Sequence, residues 1–225
     1  MDVRRFREDL QTLAHRACEE DDEETRAKVF RTVNMLAEMH RRNLVKINHS
    51  ALELVCAHGL IREGYDVKVE HRLDRALVCD VYGARSGGTR IVEIETGFIP
   101  PEAALRPRVY VRSRIASKIA RYSRFASKFT LGTTPSYVLD VPRFFILPSR
   151  LRSRAEAAEL KSLTDIYYDD PAISIEELMR ARVHSIFIID VDSASTRELD
   201  PGDYLGRAAG YRGRDSAEEL KAFKR

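Results

Sequence analysis

"ALVCDVYGARSGGTRIVEIETG", residues 76–97, reads as two strands folded back on each other. Two runs rich in Val, Ile and Tyr flank Ser-Gly-Gly, which is the turn chemistry of a β-hairpin. Closure through Ser86-Gly87, or through the four-residue loop Arg85 to Gly88, pairs residues whose numbers sum to 173. Asp80 then opposes Glu93, while Cys79 meets Ile94 and Val81 meets Val92, so the other face is apolar. A slip of one residue would place Asp80 against an apolar partner and scramble both faces. Glu95, two positions beyond Glu93, shares the acidic face because strand side chains alternate.

Three carboxylates are thereby predicted to crowd one end of a sheet. Opposed side chains lie about 4.5–5.5 Å apart at Cβ, and like charges there are destabilising. At an effective dielectric near 20, two unit charges ~4 Å apart repel by about 4 kcal/mol. A divalent cation reverses the sign, and ligands that are all oxygen point to Mg²⁺ or Mn²⁺ rather than zinc.

Working outward, residues 2–18 and 23–46 read as a helical hairpin. Its apolar stripes are Phe6, Leu10, Leu13 and Ala17 on one helix, and Val29, Val33, Leu36 and Ala37 on the other. "EEDDEE" at 19–24 is the solvated turn between them. "SALELVCAHGLIREG" is a third helix, and "YDVKVEH" a strand ahead of the hairpin. Pro107 starts a long helix expected to reach Phe129, with Gly132 closing it. "SYVLDV" then reads as a strand ended by Pro142. The order from residue 49 is α-β-β-β-α-β. Further on, Ser153 with Glu156 and Ser174 with Glu177 have capping-box spacing, and "HSIFIIDVD" is a strand covered on both faces. The expected class is α/β with a mixed sheet. Residues 1–47 form the helical hairpin, 48–147 the core and 148–225 a C-terminal extension with a basic tail.

Composition sets the frame for function. The chain has 225 residues, 44% hydrophobic and 32% charged, with three scattered cysteines that suit reduced, buried thiols. No apolar run approaches the ~20 residues of a membrane helix, and "MDVRRFREDLQ" lacks a signal-peptide core, so a cytoplasmic location is expected. The net charge of +3 hides a segregation. No acid falls between Glu102 and Asp140, whereas Arg106, Arg108, Arg112, Arg114, Lys118, Arg121, Arg124 and Lys128 all do. A basic helix after an acidic strand end suits a phosphate-bearing substrate.

With Asp80, "Glu93-Ile94-Glu95" and the preceding helix in this order, residues 49–147 resemble the PD-(D/E)XK nuclease superfamily, which includes restriction endonucleases and archaeal Holliday-junction resolvases. The resemblance implies a restriction-endonuclease-like core. It also implies metal binding by Glu53, Asp80 and Glu93, and catalysis by Asp80, Glu93 and the residue at Glu95, where the family usually has lysine. Lys118 is the candidate to supply that missing cation from the following helix. Glu95 would complete the metal shell or act as base, a role that requires a raised pKa.

The resulting expectation is a Mg²⁺- or Mn²⁺-dependent nuclease acting on nucleic acid, DNA by preference, and a homodimer if both strands are cut. Arg108, Arg112, Arg114, Arg121, Arg124 and Lys128, with the tail, would hold the backbone. The alternatives are a catalytically inactive nucleic-acid-binding protein on the same fold, and a scaffold or regulatory protein whose basic helix docks an acidic partner. Asp66, Glu70 and Asp74 read as surface residues, and His49, His58 and His71 as surface or capping residues. Asp190 and Asp192 read as a strand-end turn.

Overall fold

Asp2 and Asp22 begin the first two helices by accepting hydrogen bonds from the backbone N–H groups of Arg4 and Thr25. The computed structural model describes residues 2–45 and 47–208; the end of the basic tail, 209–225, lies outside them. Helices α1 (Val3–Ala17), α2 (Glu23–Arg41) and α3 (Ile47–Arg62) are followed by strands β1 (Asp66–Arg72), β2 (Val78–Arg85) and β3 (Gly88–Glu95). Next come α4 (Pro107–Tyr122), β4 (Lys128–Thr133), α5 (Arg154–Thr164), α6 (Ile175–Arg180), β5 (Ser185–Asp190) and β6 (Ser195–Leu199). Residues 201–208 are helical.

The fold is α/β, and the six strands form one mixed sheet in sequence order. β1, β2 and β3 are an antiparallel meander, β3, β4 and β5 run parallel, and β6 returns antiparallel along the edge. The hairpin register is the predicted one, from Arg85–Gly88 to Val81–Val92. Beyond that pair the prediction fails for Cys79. It packs with the cluster on the α4 side, whereas Val81, Val92 and Ile94 belong to the cluster on the α3 side. One face of the sheet is covered by α1, α2 and α3, with Phe6, Leu10, Val29, Val33, Leu54 and Leu60 fully or nearly buried. The other face carries α4, α5 and α6, packed on Ile91, Phe129, Leu131 and Ile186.

Two predicted elements are replaced. The helix that begins at Pro107 ends at Tyr122, not Phe129, and "KFTLGT" is β4 rather than a helix terminus. Its Phe129, Thr130 and Leu131 are fully buried between two parallel neighbours, an environment that favours an extended apolar run over helix continuation. Gly132 is therefore no helix cap. A Cβ there would lie 2.8 Å from Ile189 Cδ1 and 3.3 Å from both Val92 and Ile94, so the strand needs glycine to sit this close. "SYVLDV" forms no strand; the fourth strand of the expected order has already been supplied. The capping box at Ser174–Glu177 is present in both directions, and Ser153 caps α5.

The end of the sheet remote from the acidic residues is fastened by Arg90, which is 1% exposed. Its guanidinium donates to Thr130 on β4 (3.0 Å), Ser185 on β5 (2.9 Å) and Glu198 on β6 (2.7 Å), and lies 4.1 Å from the Phe187 ring centroid. A buried guanidinium is tolerable when its donors are this fully used.

Candidate functional site

The β2–β3 ladder ends one residue short of the acidic pair, and side chains take over the backbone groups. The Glu93 carboxylate accepts the Asp80 N–H at 3.1 Å, and the Asp80 carboxylate accepts the Ile94 N–H at 2.6 Å. Each acid is thus held by the backbone of the opposite strand. Both stand on the α4 side with Glu95, and the third party is Lys118. Its Nζ lies 3.0 Å from Glu93, 2.8 Å from Glu95 and 3.7 Å from Asp80, and it donates to the Ile94 carbonyl at 3.2 Å. Arg114, one turn earlier on α4, donates to Glu95 at 3.0 Å and to the Phe98 carbonyl at 3.0 Å.

These contacts separate the carboxylates electrostatically. Burial pushes the Glu95 pKa up, but Lys118 and Arg114 outweigh it and hold Glu95 below the ordinary carboxylate value. Glu95 therefore lacks the raised pKa that a base would need; it is the counter-ion that fixes two cations. Burial and the neighbouring Asp80 charge raise Glu93 despite Lys118. Lys118 is itself held well above its usual value, its burial overridden by Glu93, Asp80 and Glu95, so it stays an ammonium.

Glu53 approaches from α3. It is fully buried, and neither carboxylate oxygen has a hydrogen-bond partner. Burial first, then the charges of Asp80, Glu70 and Glu93, push its pKa up to about 9. His49, Glu53 and Asp80 each present a ligand atom within 4.8 Å of the others, which makes them a group that could hold a metal ion. Glu93, expected in that set, is not in it; its oxygens face the Asp80 N–H and Lys118. His49 and Asp80, with Glu53 buried behind them, line a cleft of about 900 Å³ whose walls include Lys118, Arg114, Tyr110, Tyr168 and Phe98.

The structure brings the predicted Glu53, Asp80, Glu93, Glu95 and Lys118 together, and adds His49, which was expected to be a surface or capping residue. The signal for His49 was its position four residues before Glu53, one turn away on the same helix face. Glu70, read as a surface residue, also lines the cleft, at φ +46°. His58 is buried against Asp21 rather than exposed, and Asp74 caps its own turn through the Ala76 and Leu77 N–H groups.

The basic residues divide. Arg108 and Arg112 are exposed on α4, with Arg112 3.3 Å from Asp140. Arg121 reaches the cleft but donates to the carbonyls of Tyr168 and Pro171, and Arg124 pairs with Glu177 at 3.4 Å. Lys128 is a correction. It opens β4 opposite Arg90, at the far end of the sheet, and pairs with Glu198, because the basic helix stops before it. No described helix is long and apolar enough to cross a membrane. Compared with known proteins, the chain matches no family model, no curated protein and no solved structure.

Proposed function

We propose that the protein is a metal-dependent nuclease that hydrolyses phosphodiester bonds in DNA. The observation that carries this reading is the buried, unpartnered Glu53 carboxylate beside Asp80 and His49, at the parted end of a hairpin and under a basic helix. A buried carboxylate without hydrogen bonds is costly, and a cation is the partner that its surroundings lack. Two carboxylates and one imidazole fit Mg²⁺ or Mn²⁺, with the nitrogen donor favouring Mn²⁺. When bound, such an ion orients a water and polarises a phosphoryl oxygen.

The chain's own groups do the rest. Glu53, Asp80 and His49 would hold the ion, and Glu93 steadies Asp80 by binding its N–H. Lys118 lines the cleft as a permanent ammonium and stabilises charge building on the phosphate. Glu95 and Arg114 keep that ammonium in place. Arg108 and Arg112, on the exposed face of α4, meet neighbouring phosphates, which gives affinity without sequence preference.

The test is incubation of labelled duplex, single-stranded and branched DNA with Mn²⁺, comparing wild type with Asp80→Ala. The expected result is cutting by wild type alone, with DNA binding retained in the variant. Equal cutting by Asp80→Ala, or no cutting of any substrate by wild type, refutes the assignment.

A further inference from the structure

A second cluster of ligand-type side chains lies away from the cleft, where the helical hairpin meets α3. Cys18 follows the last residue of α1, and the Asp21 N–H donates back to the Cys18 carbonyl at 3.2 Å. This closes a Cys-x-x-Asp turn. Arg26 on α2 clamps the turn by donating to the same carbonyl at 3.0 Å. From α3, His58 brings Nε2 to 2.6 Å from Asp21 Oδ2. The ligand atoms of Cys18, Asp21 and His58 lie within 4.8 Å of one another. All three are nearly dry: Cys18 is 0% and His58 4% exposed, and the Asp21 side chain 6%. A cavity of about 380 Å³, bounded also by Arg62 and Ser193 to Thr196, opens on Asp21 and His58.

We propose that Cys18 Sγ, the Asp21 carboxylate and His58 Nε2 form a binding site for Zn²⁺, with the remaining coordination position facing the cavity. One sulfur, one nitrogen and one oxygen donor are a zinc set, distinct in softness from the oxygen-rich group at Glu53 and Asp80. One thiolate and one carboxylate match the charge of a divalent ion, and the exposed Arg62, 3.4 Å from Asp21 Oδ1, stays with the oxygen that does not face His58. On binding, the Cys18 thiol releases its proton to solvent. His58 ligates as the neutral imidazole, so its hydrogen bond to Asp21 is exchanged for a bond from each residue to the ion. The site would join the α1–α2 turn to α3 and fasten the helical hairpin to the rest of the protein. The Asp21–His58 hydrogen bond joins two of these side chains, and the buried Cys18 thiol directed at the same carboxylate makes them a set of three donors rather than a pair.

The test uses the full chain, stripped with chelator and titrated with Co²⁺ as a spectroscopic probe. The expected spectrum has a thiolate-to-cobalt charge-transfer band with the intense visible bands of four-coordinate Co²⁺, all bleached by one equivalent of Zn²⁺. Cys18→Ser should lose the charge-transfer band, and Asp21→Asn should weaken Co²⁺ binding at least ~10-fold. Because Cys18 is fully buried, Asp21→Asn also serves as the decisive variant if Cys18→Ser fails to fold. The proposal is overturned if wild type gives no charge-transfer band. A band surviving in Cys18→Ser, which would place the thiolate at Cys56 or Cys79, or unchanged affinity in Asp21→Asn, overturns it equally.

Discussion

Glu53→Gln distinguishes a cation ligand from a structural glutamate, because the two roles move stability in opposite directions. Without metal, the folded protein holds Glu53 near pKa 9 against an ordinary value of 4.5. The fold therefore binds a proton that the unfolded chain releases, and stability falls as pH rises from 4.5 towards 9. At pH 7 the gap above the unfolded value is about 2.5 units, which at ~1.4 kcal/mol per unit costs about 3 kcal/mol. Glutamine has nearly the shape of the protonated acid and carries no such cost. In chelator, Glu53→Gln should therefore be more stable than wild type at pH 7, by up to about 3 kcal/mol in urea denaturation. The difference should shrink towards pH 5 and grow towards pH 8. Mn²⁺ at a thousandfold excess over Kd reverses the order, since wild type gains about 4.1 kcal/mol and the variant gains little. A variant less stable than wild type in chelator, or a Mn²⁺ shift equal in both proteins, refutes the reasoning.

Three further outcomes test other parts of the molecule. Lys118→Met leaves Glu93, Glu95 and Asp80 without their shared ammonium and should cost about 3–5 kcal/mol, read as a drop in the urea midpoint. Arg152 donates to the carbonyls of Leu147 at 3.0 Å and Met179 at 2.8 Å, and to that of Ala181. Arg152→Ala strands these acceptors and should cost about 3 kcal/mol or more, and a thermal midpoint within a degree of wild type would contradict that. His184 Nδ1 accepts the Phe129 N–H at 3.0 Å, and burial together with Arg182 lowers its pKa from 6.5. The unfolded chain protonates first, so this contribution is intact above pH 6.5 and lost as pH falls below it. His184→Asn should flatten the acid limb of the stability–pH curve between pH 7 and 5.

The hairpin was legible because its evidence is local. Turn residues, alternation and a two-sided register all point to one pairing, and 78–95 contain everything needed to find it. The end of α4 was not legible. "RYSRFASKFT" carries apolar residues at helical spacing, and only the flanking strands β3 and β5, distant in sequence, make Phe129 and Leu131 sheet residues. β6 escaped for a related reason: "STREL" is a polar edge strand, exposed or half-exposed throughout, with no apolar alternation to announce it. At the site, the acids on the strands followed from register, whereas His49 required knowing which face of α3 meets the hairpin. The Cys18–Asp21–His58 cluster joins a turn to a helix 37 residues later, and pairing across such a span leaves no periodic trace.

Arg90 and Lys118 act at opposite ends of β3 and impose opposite mechanical conditions. At one end, a buried guanidinium on β3 donates to β4, β5 and β6, so separation there would break several bonds at once. At the other, the β2–β3 ladder has already given way, and its geometry depends on the balance of a few charges. Local opening of the hairpin should therefore start from the acidic end, while β3 stays joined to β4, β5 and β6 through Arg90. A substrate or ion arriving in the cleft can rearrange side chains there without loosening the sheet as a whole.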